Sequence, residues 1–131
     1  MGEAYRVKHS AFDKLFFAGP GGMPTAVVFE DADPQAASRF ITRRAFINGG
    51  QYCTTLKKAL IHRDLYQEVR EQILEFTGNL RVGDPFDPET DIGPIRVERT
   101  RLILERALDK CSWARKLAGA IEGERVFPLV L

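Results

Sequence analysis

"TAVVFE" (residues 25–30), "DADPQAASRFITRRAFINGG" (31–50) and "QYCTTLKKALIH" (51–62) form one unbroken stretch, and its reading decides the fold. The first piece is apolar without alternation and rich in β-branched residues, the pattern of a strand in a parallel sheet. Asp33 is a favoured N-cap type and Pro34 a favoured first helical residue, so a helix starts there. Ala37, Phe40, Ile41 and Arg44 follow the i, i+3, i+4, i+7 spacing, and the apolar three mark the side expected to be buried. Asn48-Gly49-Gly50 ends the helix, since glycine takes the left-handed conformation that a helix terminus often needs. A second strand is expected over residues 56–62.

The rest of the chain extends this pattern. "KLFFA" (14–18) is a short apolar run with strand character, and "GPGGMP" (19–24) is too rich in glycine and proline for regular structure. Asp64 and Gln67 resemble a capping box at the head of a second helix. Leu65, Val69, Ile73 and Phe76 form its apolar stripe, and Gly78 closes it. "RVGDPFDPETDIGP" (81–94) is loop, with two Asp-Pro steps. A third helix is expected over 97–111, with Thr100, Leu104, Ala107 and Cys111 along one side. "RVFPLVL" (125–131) has the composition of a last strand interrupted by Pro128. Strands alternating with helices imply an α/β layer with parallel strands and right-handed crossovers.

Bulk properties narrow the function classes. A chain of 131 residues with 44% hydrophobic and 28% charged residues has the composition of one ordinary globular domain. A net charge of +1 gives no field that would favour nucleic acid or an anionic membrane. No apolar run approaches membrane-spanning length. The opening Met1-Gly2-Glu3-Ala4-Tyr5-Arg6 has no apolar signal core, so the expectation is a soluble cytoplasmic protein. The two histidines, His9 and His62, are far apart and no Cys-x-x-Cys pair occurs, so no metal site is expected.

Cys53 is the first candidate for chemistry, and two readings of it stand. It is either a small apolar residue of the core or a nucleophile in a loop whose backbone N–H groups favour thiolate and oxyanion. The two glycines before it allow a close backbone approach. Cys111 falls on the apolar side of a helix pattern and is read as packing. "GPGGMP" lacks the third glycine of a dinucleotide fingerprint and precedes a strand rather than a helix. "HRDL" (62–65) copies the start of a kinase catalytic loop, but Val69 stands where that loop needs asparagine. Glu30, Asp31 and Asp33 are explained by helix capping and dipole complementarity.

The stretch Asn48-Gly49-Gly50-Gln51-Tyr52-Cys53-Thr54 resembles the active-site cysteine motif N-x-G-Q-x-C of the aldehyde dehydrogenase superfamily. "GGMPTAVVFEDADPQAA" (21–37) is similar to the Gly-Gly, strand, D-A-D segment upstream of that cysteine, and "LRVGDPFDPETDIGP" (80–94) to the R-V-G-D-P…D-x-G-P segment downstream. "VFPLVL" (126–131) is a weaker match to a P-T-V-L strand. The resemblance implies an α/β fold, part of the family's catalytic domain. It implies that the Cys53 thiolate attacks an aldehyde and that the Cys53 N–H helps hold the oxyanion. Asn48, Gly50, Gln51 and Thr54 then shape the loop, Gly21 and Gly22 lie near the cofactor, and NAD or NADP accepts the hydride.

Two departures from the family pattern qualify this expectation. Gly19 stands where the family places its general-base glutamate, in an "AGPGG" run where E-L-G-G is usual. The family's dinucleotide-binding region corresponds to nothing in these residues. Residues 1–131 are therefore expected to be one catalytic-domain fragment with a ragged lead-in over 1–14, and without the NAD-binding domain. Three roles follow from that expectation: a piece completed by other polypeptide, a non-catalytic remnant, or a thiol module that forms aldehyde adducts without redox chemistry. A partial sheet leaves an open edge and an apolar face, so a homo-oligomer or a second polypeptide is the expected partner.

Overall fold

A computed structural model of the chain describes residues 22–95, 97–122, 125–126, 128 and 130. The expected strand at 14–18, the lead-in over 1–14, and Gly19 and Gly21 lie outside these residues.

The central stretch folds as strand, helix, turn, strand. β1 (Thr25–Val28) pairs in parallel with β2 (Lys58–Ile61), Thr25 opposite Lys58 and Val28 opposite Ile61. The connection between them is α1 (Pro34–Phe46) followed by a short 3-10 turn (Ile47–Gly50). The α/β expectation therefore holds as a partial parallel-sheet layer with helices packed on it. Both strands are shorter than their apolar runs. Phe29 and Glu30 lie beyond β1, and His62 lies beyond β2, although its N–H still donates to the Val28 carbonyl at 2.9 Å.

The burial of β1 differs from the sequence expectation. Val28 is buried at 7% exposure, whereas Val27 beside it is 54% exposed. An unbroken apolar run predicts cover on both faces, but among the described residues helices cover only one. On that face Ala26, Val28, Ala59 and Ile61 pack into a core with Ile41 of α1 and Val69 and Ile73 of the next helix.

Asp33 caps α1 as expected, its Oδ1 accepting the Gln35 N–H at 2.9 Å with Pro34 in the first turn. The inward side of α1 is the predicted one in part: Ile41 is buried and Ala37 packs against the core. Phe40 points outward at 57% exposure, and Ser38 and Thr42 are buried in its place. The reason is close packing against α2 (Tyr66–Gly78). Ser38 is small, and its hydroxyl bonds to the Pro34 carbonyl at 2.7 Å and lies 3.3 Å from the Val69 carbonyl of the facing helix. A phenylalanine could not sit at so close a crossing.

α2 begins later than the capping-box pattern suggests. Leu65 occupies the N-cap position without a side-chain bond, and Asp64 turns back so that its carboxylate lies 3.7 Å from His62 Nδ1. Along α2, Val69 and Ile73 are buried as predicted and Thr77 joins them, while Phe76 is half-buried beneath the Arg39 guanidinium, 5.6 Å from the ring centroid. Residues 81–94 are loop with a single parallel bridge, Val82 to Ile92. α3 spans Glu98–Lys110. Its half-buried side is Arg101, Leu104, Glu105 and Leu108; of the predicted stripe, Thr100 and Ala107 are exposed. Cys111 is half-buried at the end of that helix rather than packed inside. The tail holds β3 (Ile121–Glu122) and β4 (Arg125–Val126) as an antiparallel pair, so "RVFPLVL" is not one strand; Val130 instead bridges to Ala118.

Candidate active site

The loop that carries Cys53 is shaped first by its backbone. Asn48, Gly49 and Gly50 are all left-handed, with φ of 52°, 62° and 73°. Asparagine and glycine are the residues that tolerate this conformation, and three in succession reverse the chain sharply after α1. The reversal is locked by Gln51. Its backbone N–H donates to the Asn48 carbonyl at 3.2 Å and its side-chain Nε2 to the same oxygen at 2.9 Å. Tyr52, Cys53 and Thr54 follow at the surface, all exposed, before Thr55 turns inward at 1% exposure.

Cys53 is thus not a core residue, and the structure removes the packing reading that the sequence left open. Among the described residues the backbone N–H groups of Cys53 and Thr54 donate to no partner. An exposed thiol beside free backbone donors is an arrangement that can add to a carbonyl and stabilise the resulting oxyanion.

Two distant segments meet this loop. A Cβ added at Gly22 would lie 3.0 Å from the Cys53 carbonyl oxygen, so the chain before β1 passes directly against the cysteine backbone. A Cβ added at Gly49 would lie 3.8 Å from the Gly93 carbonyl and 3.9 Å from Ile92 Cγ2, which places the 81–94 loop against the left-handed turn. That loop is held by Arg81, which bonds Glu89 at 2.6 Å and takes the Asp91 carboxylate on its backbone N–H at 2.9 Å. The three stretches that carry the family resemblance therefore converge at one place.

The glycine at 22 serves this internal contact. A side chain there would crowd the Cys53 carbonyl, while Gly22 itself remains exposed. An apolar groove of about 420 Å³ passes the other residues of the turn, with Gly49, Gly50, Leu56, Ile73, Ile92 and Leu104 in its walls; Cys53 is not among its lining residues. Two residues of the loop were not singled out in the sequence. Thr55 Oγ1 lies 2.9 Å from the Gly50 carbonyl oxygen and 2.8 Å from that of Tyr52, and Lys57 Nζ reaches Gly50 at 2.9 Å and Thr55 Oγ1 at 2.6 Å. The available signal was a threonine and a lysine just before a strand, which composition alone does not distinguish from a solvated edge.

The sequence profile of the aldehyde dehydrogenase family matches residues 7–125, and the chain belongs to that family. It is similar to the sulfoacetaldehyde dehydrogenase of Neptuniibacter caesariensis, at 33% identity over 116 residues, covering 85% of this chain and 25% of that protein. It is similar to the 1-pyrroline-5-carboxylate dehydrogenase of Bacillus subtilis at 42% identity over 82 residues, covering 63% of this chain and 16% of that protein. Among solved structures, the NADP-dependent glyceraldehyde-3-phosphate dehydrogenase of Bacillus halodurans, crystallised with NADP, superposes with a TM-score of 0.77 at 28% identity over 83% of this chain and 23% of its own. The aldehyde dehydrogenase 21 of Physcomitrella patens shares the fold with a TM-score of 0.85 at 24% identity, over 98% of this chain and 27% of its own. The chain spans about a quarter of the length of the curated relatives it matches. Among the described residues, no helix is long and apolar enough to cross a membrane.

Proposed function

We propose that this chain is the nucleophile-bearing part of an aldehyde dehydrogenase that uses NAD or NADP. The observation that carries the proposal is the exposed Cys53, held by a triple left-handed turn where the Gly22 and Ile92–Gly93 segments converge. In this reading the Cys53 thiolate forms an S–C bond to the aldehyde carbon. The carbonyl π-electrons move to oxygen, and the Cys53 N–H donates to the alkoxide. Asn48, Gly50 and Gln51 keep the loop in shape, and Thr54 lies beside the thiol.

The described residues do not fit a bound dinucleotide. Among them, the turn that joins β1 to α1 carries no glycine that would let a pyrophosphate approach the helix start. The chemistry derived for this chain accordingly stops at the thiohemiacetal. The redox step is assigned to an assembled catalytic unit in which a second copy or another polypeptide covers the exposed apolar side of the sheet. A second reading, a non-catalytic family member, is favoured by one observation: Gly19 stands where a general base is expected, and glycine cannot take a proton from water.

Protection from alkylation tests the first reading. An aldehyde at about ten times its apparent Kd slows iodoacetamide labelling of Cys53 about tenfold and leaves Cys111 unchanged, both read by peptide mass spectrometry. Equal labelling of Cys53 with and without a panel of aldehydes sinks it. NADH or NADPH formation that disappears in Cys53→Ala would extend the activity to the whole oxidation.

A further inference from the structure

Behind Cys53 runs a line of hydrogen bonds that starts at a cation. Lys57 Nζ donates to Thr55 Oγ1 at 2.6 Å and to the Gly50 carbonyl at 2.9 Å. The Thr55 hydroxyl lies 2.9 Å from the Gly50 carbonyl and 2.8 Å from that of Tyr52. A hydroxyl has one proton to give. Gly50 already receives the ammonium, whereas among the described residues Tyr52 otherwise receives only the Thr55 backbone N–H at 3.2 Å. The hydroxyl proton therefore serves Tyr52 best. The Tyr52 C=O and the Cys53 N–H belong to the same planar peptide unit.

We propose that Lys57 and Thr55 are positioning residues that hold and polarise the Tyr52–Cys53 peptide, making the Cys53 N–H a stronger donor to an oxyanion. This rests on the reading of Cys53 as the nucleophile. The order of the relay is ammonium, hydroxyl, carbonyl, amide N–H. Its first link is charge-assisted and so the strongest, and hydrogen bonds in a chain polarise one another. Its middle link is shielded from water, because Thr55 is 1% exposed. A donor strengthened in this way acts on the alkoxide more than on the neutral carbonyl, so its effect falls on the addition step.

Two probes that react with the same thiol separate this role from simple loop-holding. With para-nitrophenyl acetate, the thiolate bonds to the acetyl carbon through an alkoxide intermediate. The C–O bond then breaks and para-nitrophenolate leaves with its electron pair, giving S-acetyl cysteine. With iodoacetamide the thiolate attacks a CH2 carbon and iodide leaves with the bonding pair, so no alkoxide forms. The ratio of the acylation rate to the alkylation rate at Cys53 isolates the oxyanion donor. Lys57→Met and Thr55→Val are expected to lower that ratio about tenfold. Lys57→Arg and Thr55→Ser are expected to restore it to within about twofold. An unchanged ratio in Lys57→Met overturns the relay. So does a parallel fall of both rates, which would mean that Lys57 only shapes the loop. Lys57 is exposed, so Lys57→Met carries the test even if Thr55→Val fails to fold. Acylation of Cys53→Ala as fast as the parent chain would remove the nucleophile reading itself, and the relay with it.

Discussion

The two faces of the β1–β2 pair are made of similar residues and have different surroundings. Ala26, Val28, Ala59 and Ile61 lie under α1 and α2, in a core centred on Val69, which has no exposed surface. Val27 and Leu60, opposite one another in the register, are 54% and 53% exposed, and Phe29 beyond them is 68% exposed. The difference teaches that strand formation and strand burial are separate properties. β-branched sequence favours the strand on both faces, but only packed neighbours remove a face from water. An apolar sheet face left open is a surface on which another polypeptide lowers its free energy by docking.

The comparison breaks most visibly at Val69. Val69→Ala is expected to lower stability by about 2–3 kcal/mol in urea unfolding, because the site is fully packed. Val27→Ala on the bare face is expected to change it by no more than about 0.5 kcal/mol. If Val27→Ala is as costly as Val69→Ala, that face is covered in solution. A smaller effect tests the connection between the two strands: Asp33→Ala removes the α1 cap and is expected to cost about 1 kcal/mol, with Asp33→Asn losing only a few tenths in the same titration. The smallest effect on folding sharpens the comparison most. Val27→Lys with Leu60→Lys should leave the unfolding free energy within about 0.5 kcal/mol, while lowering the mass of the associated species in light scattering. A sharp monomer mass for the parent chain would exclude self-association through this face.

Much of this organisation was legible in the sequence. Asp33-Pro34 announced the start of α1, and Asn48-Gly49-Gly50 announced its end, because capping and positive φ depend on a residue and its immediate neighbours. Parallel pairing followed from strand-helix-strand order. The inward side of α1 was legible only in part, since Ala37 and Ile41 were placed correctly and Ser38 was not. Spacing alone put Phe40 inside, whereas the close crossing with α2 selects Ser38, a choice made by a partner helix far along the chain. Asp64 does not cap α2 either: its carboxylate lies 3.7 Å from His62 Nδ1, and Leu65 takes the N-cap position. At the candidate site, Cys53, Asn48 and Gln51 were marked by a motif. Thr55 and Lys57 were not, since their importance lies in which carbonyls they reach.

The parallel register has one further consequence, which concerns the order of folding. Thr25 cannot meet Lys58 until α1 and the cysteine loop between them have closed into a crossover. Parallel pairing carries the whole loop-closure entropy before any ladder bond repays it. The Cys53 loop lies inside that closure, and the Lys57 N–H that helps fasten it to Pro24 at 2.9 Å belongs to the same event. The contacts that Gly22 and Pro24 make with this loop therefore exist only once the crossover has closed, which couples that part of the thiol's setting to strand pairing.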